Sequence, residues 1–317
     1  MTPGPFLPGL RYLAEGGQET ELMYGHGFEL PQFALFPLLD DPAAVAQLTA
    51  MYRAVLDVAE RHELGILLGG LDYRASPDWA ALLGLDAAAL ADYQQRSIDF
   101  LKDVAEPYRQ RLPHILVAGC VGPQGDAYER NEAATEASAE SYHSTQMANL
   151  AAAGVDLIEG MTFTSGEEAI GVIRAARAHG LPIIMSFMCD SACAADGASS
   201  FRKMIEKVDA ATDSYALCYG INCSHPSEFE SQLVEPGDWL ERVGLLRPNA
   251  SAKDKAELCQ IGHLERGDPV DLAQRMGSLA ERMPNVVVWG GCCGTWDEHL
   301  DLIAGAIRQP AISPPSK

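Results

Sequence analysis

The chain has 317 residues, 47% of them hydrophobic and 21% charged, which is ordinary for a soluble globular protein and excludes disordered, collagenous and coiled-coil classes. Lys and Arg total 23 against 44 Asp and Glu, a formal charge of −21 that repels phosphate backbones and anionic headgroups. Nucleic acid and membrane are therefore poor partners, no stretch is apolar enough to span a bilayer, and the start lacks a signal peptide. Eight cysteines in so long a chain do not form a disulfide scaffold, so the expectation is a reduced, cytoplasmic protein. A homo-oligomer is compatible with this composition.

Short apolar runs alternate with amphipathic segments throughout. Predicted strands are Arg11–Glu15, Leu64–Leu68, His114–Ala118, Val155–Glu159, Ile183–Phe187, Leu217–Asn222, Leu245–Arg247 and Val286–Trp289; the seventh has little apolar content. Between them, Asp41-Pro42 reads as a cap with proline at the first helical position, followed by Val45, Leu48, Tyr52, Val55, Leu56 and Ala59 on one face. Ser165–Glu168 fits a capping box whose helix stops at Gly180 and Pro182. Asp268-Pro269 opens another helix, with Leu272, Met276, Leu279 and Met283 as its buried stripe. Eight strand–helix units in one chain predict a single-domain (β/α)8 TIM barrel over residues 1–317, with a loose tail from about Gln309. No glycine-rich phosphate loop or dinucleotide fingerprint follows the first strand.

Barrel active sites gather at the carboxyl ends of the strands. There the sixth strand leads into Asn222-Cys223-Ser224-His225, and the eighth into Gly290-Gly291-Cys292-Cys293-Gly294-Thr295. Three thiolates on one ion leave a tetrahedral zinc one open position, the mark of a catalytic site. Buried apolar thiols and a vicinal disulfide are the alternatives. Cys120, Cys189, Cys193, Cys218 and Cys259 read as structural, with Cys218 facing away from Cys223, and His225 as packing in its loop. The histidines contain no H-x-H or H-E-x-x-H pair, and no G-x-S-x-G elbow is present, which disfavours imidazole-based metal hydrolases and serine hydrolases. Glu15 and Glu159 sit where carboxylates can hold an ammonium group, and the Gly16-Gly17 amides where they can meet a carboxylate.

Together, Gly220–Cys223 and Gly290–Thr295 resemble the paired zinc motifs of the homocysteine S-methyltransferase family. Leu13–Leu22 is similar to that family's opening D-G-G-x-x-T-x-L stretch, Gly119–Gly125 to its G-S-x-G-P-x-G, and Gly154–Ala169 to its fourth-strand segment. The resemblance implies a (β/α)8 barrel in which Cys223, Cys292 and Cys293 hold Zn2+ and the zinc binds the homocysteine sulfur. It also implies that Glu15, Gly16, Gly17 and Glu159 contact the substrate. Three positions depart from the pattern. Glu15 replaces the family's aspartate, Met161-Thr162 replaces an E-T pair whose glutamate helps hold the amine, and Asp72 stands where an uncharged residue is usual. Glu159, two residues before Met161, shares its strand face and is expected to substitute.

The implied partners are a small-molecule thiol acceptor and a methyl donor. A sulfonium donor, S-methylmethionine or S-adenosylmethionine, is expected ahead of betaine, because quaternary ammonium recognition calls for an aromatic cage. Candidates for such a cage are Tyr24, Phe28, Tyr73 and Trp79.

Overall fold

The computed structural model describes residues 4–127, 134–189, 200–253, 257–258 and 261–308. The strands are β1 (Tyr12–Ala14), β2 (Gly65–Leu68), β3 (Ile115–Val121), β4 (Leu157–Phe163), β5 (Ile183–Phe187), β6 (Cys218–Asn222), β7 (Val243–Arg247) and β8 (Val288–Trp289). Each lies parallel to its neighbour in sequence, and β8 returns to β1, closing the barrel. The expected (β/α)8 fold is what forms. The tail from Gln309 lies outside the described residues.

Alternation along the strands sorts side chains into two clusters. Tyr12, Ala14, Leu67, Leu116, Ala118, Leu157, Ile184, Cys218, Leu245 and Val288, drawn from all eight strands, fill the barrel interior. Their neighbours, such as Leu13, Ile66, Ile158, Ile183, Tyr219 and Leu246, join the outer layer under the helices. Two strands run further at their carboxyl ends than the sequence reading has them. β3 runs on to Val121, and β4 continues past Glu159 to Phe163, so Glu159 lies inside the barrel wall instead of at its rim. An acid reads as a strand terminus from sequence, but this one faces an interior cation described below. The seventh strand, read as poor in apolar residues, begins earlier and buries Val243, Leu245 and Leu246, while Gly244 packs on Cys218: a Cβ there would sit 2.5 Å from the Cys218 sulfur.

Helix punctuation follows the sequence signals. α1 (Gln18–Thr20) is a single turn after β1, and α2 (Pro42–Arg61) starts where the Asp41 carboxylate accepts the Ala43 N–H at 2.8 Å. Leu48, Tyr52, Val55, Leu56 and Ala59 are buried, whereas Val45 is only partly so. α3 (Pro77–Leu82), α4 (Ala87–Ala105) and α5 (Glu136–Ala153) follow. At α6 (Gly166–Ala178) the capping box is half made. Ser165 Oγ accepts the Glu168 N–H at 3.3 Å, but the Glu168 carboxylate turns away to the Gln124 N–H at 2.6 Å and faces His143 at 3.1 Å. α7 (Phe201–Thr212) and the short α8 (Pro226–Phe229) precede α9 (Pro269–Arg282), capped by Asp268, and α10 (Asp297–Ile307). Leu272, Met276, Leu279 and Met283 are buried as expected.

Asp72, in the loop after β2, is fully buried against α4, and neither carboxyl oxygen finds a hydrogen-bond partner at normal distance. Burial pushes its pKa up to about 8, with the nearby Ser97 hydroxyl pulling the other way. The folded protein therefore keeps a proton that the unfolded chain, with a carboxyl near 3.8, gives up. Stability from this group declines as pH rises from about 4 toward 8. Asp72→Asn should raise the melting temperature at pH 8 by several degrees, roughly 2–4 °C per kcal/mol recovered, and change it little at pH 4. Melting curves of both proteins across that range test this; a difference independent of pH contradicts it.

Candidate metal centre and substrate cavity

A cavity of about 300 Å³ opens at the carboxyl ends of the strands. The three expected cysteines converge on it, two from the β8 side and one from β6.

Cys223 arrives there by a break in strand alternation. Asn222 points inward at the end of β6, so the next residue on a regular strand points outward. Cys223 instead adopts φ +55°, a left-handed conformation that L residues enter only under restraint. Its N–H is tied to the Arg247 carbonyl at 3.2 Å. This also corrects the expectation for Cys218. That residue lies on the same interior face as Asn222, below the site, while the turned backbone is what brings Cys223 in.

After β8 the chain closes a tight turn. The Thr295 N–H and hydroxyl both donate to the Cys292 carbonyl, at 3.1 and 2.7 Å, and Gly294 has φ +78°. Gly16 and Gly17 pack directly on this turn. A Cβ on Gly16 would approach the Thr295 carbonyl oxygen to 2.3 Å, and one on Gly17 the Cys292 carbonyl oxygen to 2.6 Å. Their smallness thus serves backbone contact with the cysteine turn. The Gly17 N–H is spent on the Thr295 carbonyl at 3.0 Å, so it does not offer itself to a substrate carboxylate.

The three sulfurs lie within 4.8 Å of one another, with Cys223 and Cys293 3.9 Å apart. Two sulfurs on a tetrahedral zinc, each about 2.3 Å from the ion, stand roughly 3.8 Å apart, so the cluster matches that donor set. Asn222 braces it. Its amide lies 3.9 Å from the Cys292 sulfur, while its other bonds, accepting the Thr162 N–H at 2.8 Å and donating to the Thr162 hydroxyl at 2.9 Å, fix its orientation. The sulfurs hold one another protonated: the hydrogen bond with Cys223 leads in pushing the Cys292 thiol up to about 12, and it raises Cys293 too. Three adjacent thiolates repel, so they need a cation between them to ionise together.

Beneath the sulfurs sits the residue that sequence reasoning passed over. Arg247, at the end of β7, is 2% exposed and forks between two buried acids. Nη1 donates to Glu159 Oε1 and Nη2 to Glu15 Oε1, both at 2.8 Å. Nη2 also reaches the Glu15 carbonyl at 3.1 Å, and Nε the Gly291 carbonyl at 3.1 Å. The second Glu15 oxygen accepts the Gly69 N–H at 3.2 Å. Glu159 Oε2 has no partner, and burial raises that carboxyl's pKa against the pull of Arg247. Glu15, Gly16, Gly17 and Arg247 line the cavity, whereas Glu159 lies behind Arg247 and does not. An arginine closing a barrel strand, opposite acids on two other strands, was the signal available in the sequence.

Other wall residues were only partly anticipated. Of the proposed aromatic cage, Tyr24 and Tyr73 line the cavity; Phe28 packs on the outer core, and the Arg74 guanidinium covers Trp79 at 4.1 Å from the ring centre. Phe33, Glu19 and Cys120 also line it. Cys120 is thus beside the site but outside the sulfur cluster, and burial raises its thiol pKa. Cys189 is buried in the core, and His225 spends its ring on Ser227 at 2.8 Å, as a packing histidine does. Cys193 and Cys259 lie outside the described residues.

Removing one member of a buried charge cluster strands the others, at a cost of about 3–5 kcal/mol. Arg247→Met should therefore destabilise the protein by that order in denaturant unfolding. Adding Glu15→Gln and Glu159→Gln to it should recover most of the loss. Equal stability of the single and wild-type proteins contradicts the assignment.

Residues 13–307 match the family model described as homocysteine S-methyltransferase. Among solved structures, the metallated form of the homocysteine methyltransferase MmuM from Escherichia coli superposes with a TM-score of 0.67 at 19% identity, covering 93% of this chain and 96% of that one. The oxidized form gives 0.66 at 20% identity over 93% and 95%, and the apo form 0.60 at 18% over 94% and 95%. At these identities the superpositions speak for the fold. No curated protein matches the chain. The match across nearly its whole length makes this chain a member of the homocysteine S-methyltransferase family.

Proposed function

We propose that the protein transfers a methyl group from a sulfonium donor, S-methylmethionine or S-adenosylmethionine, to homocysteine on a zinc ion held by Cys223, Cys292 and Cys293, giving methionine. The observation that carries this reading is the cluster of three sulfurs opening onto the cavity in a member of this family. Zinc bound there would supply a Lewis acid that keeps the acceptor thiol ionised at neutral pH, where a free thiol of pKa near 8.5 is only a few per cent thiolate. The reducing conditions of the cytoplasm suit a site built on reduced thiols.

The chain's own contribution is position and exclusion of water. Glu15, Gly16 and Gly17 wall the acceptor side of the cavity, and Glu159 supports that wall from behind through Arg247. Tyr73, Met161 and Thr162 stand in the wall of the same cavity. Held in line, the acceptor sulfur donates an electron pair to the donor methyl carbon. The carbon–sulfur bond of the sulfonium breaks, and its pair neutralises the departing thioether. No general base is required, so alignment supplies much of the rate.

A second reading, with betaine as donor, is favoured by Tyr24, Phe33 and Tyr73 lining one cavity, since aromatic faces attract quaternary ammonium groups. Against it, two of the four aromatics expected from sequence are turned to other work.

Two measurements test the proposal. Metal analysis should find one zinc per chain, lost in Cys223→Ala, Cys292→Ala or Cys293→Ala and retained in Cys218→Ala or Cys189→Ala. Zinc-replete protein given homocysteine and a donor panel should form methionine with a sulfonium at a rate at least tenfold above that with betaine. Methionine from betaine alone reverses the donor order, and full activity without metal overturns the mechanism.

A further inference from the structure

We propose that Glu19 holds the ammonium group of the amino-acid thiol acceptor, in place of Glu15 and Glu159. The inference rests on the acceptor reading above and on a count of charges around the cavity. Three carboxylates line it among the described residues: Glu15, Glu19 and Asp126. Glu15 is saturated, because Arg247 takes one oxygen at 2.8 Å and the Gly69 N–H takes the other at 3.2 Å. Asp126, exposed at the mouth, lies 3.7 Å from the Arg74 guanidinium. Glu19 alone of the three has no arginine, lysine or histidine within ion-pair distance among the described residues.

Position favours the same residue. Glu19 is on α1, directly after Gly16 and Gly17, which pack on the cysteine turn, and it is half-buried. It lines the cavity together with Cys292, Cys293 and Arg247, and its carboxyl feels the charge of Cys292, Arg247 and Glu15. Burial is the leading cause that pushes its pKa up to about 8; a bound ammonium would offset that penalty by favouring the ionised form. Glu159, by contrast, lies behind Arg247 and off the cavity surface. An ammonium directed to Glu15 or Glu159 would have to displace a guanidinium that is 2% exposed and bonded on both arms.

The test uses cobalt-substituted full-length protein, in which thiolate binding at the metal is read from the sulfur-to-cobalt charge-transfer absorption without any methyl donor. Homocysteine and its des-amino analogue, 4-sulfanylbutanoate, are titrated into wild type, Glu19→Gln and Glu19→Asp. A charge-assisted hydrogen bond is worth about ten- to a hundredfold in affinity, so Glu19→Gln should weaken homocysteine by that factor and leave the analogue within about twofold. Glu19→Asp should recover part of the loss. Equal effects on both thiols, or none on homocysteine, overturn the assignment while leaving the acceptor reading intact. A wild type whose cobalt spectrum responds to neither thiol overturns the acceptor reading and this assignment together.

Discussion

The guanidinium of Arg247 is the interaction on which the site depends. It crosses the barrel from β7 to reach Glu15 after β1 and Glu159 on β4, where none of the three is more than 2% exposed. Charges so far from water persist only when paired and hydrogen-bonded, and here the guanidinium fork matches two carboxylates at once. The same residue touches both cysteine-bearing segments. Its carbonyl accepts the Cys223 N–H, and its Nε donates to the Gly291 carbonyl. The acid pair and the sulfur cluster are therefore one mechanical unit.

Its charge balance shapes what the cavity can bind. Two acids share one guanidinium beneath the sulfurs, and three thiolates with a divalent cation would leave a net negative charge above it. Anions gain nothing by entering such a floor, whereas cations do. At the rim, Arg74 stacks on Trp79 and bonds the Gly125 carbonyl at 2.9 Å, and its guanidinium lies 3.7 Å from the Asp126 carboxylate.

Backbone strain accompanies function in two places. Cys223 and Thr162 both adopt positive φ, +55° and +66°, at the ends of β6 and β4. Asn222 links them, since it bonds Thr162 through both amide atoms and neighbours Cys223 in the chain. A network of this kind keeps two unfavourable conformations in place because each bond fixes the next. The π-helical turn Glu21–Gly25, which carries Met23 and Tyr24 to the cavity, is pinned in the same way by Arg266, whose guanidinium meets both Glu21 oxygens at 2.8 Å.

By itself the sequence determined the barrel, because period-two apolar strands and capped amphipathic helices are local patterns that one fold class satisfies. It also pointed to the cysteines, since the chemistry of sulfur after two strands is specific even when the distance between them is not. What only the tertiary structure decided is the fate of the acids. Glu15 and Glu159 read as free carboxylates because their shared partner, Arg247, is remote in sequence, and a strand-end arginine carries no local mark of what it faces. Gly17 read as an amide open to substrate, yet its N–H bonds the Thr295 carbonyl of the cysteine turn. Asp72 read as a departure from the family pattern, and only the structure shows its loop turning it to α4. Glu19 drew no notice on a single helical turn, and it stands apart only when the other described cavity acids, Glu15 and Asp126, are seen beside their cations. Pairing between side chains is a property of closure, and the barrel must close before any of these groups meets its partner.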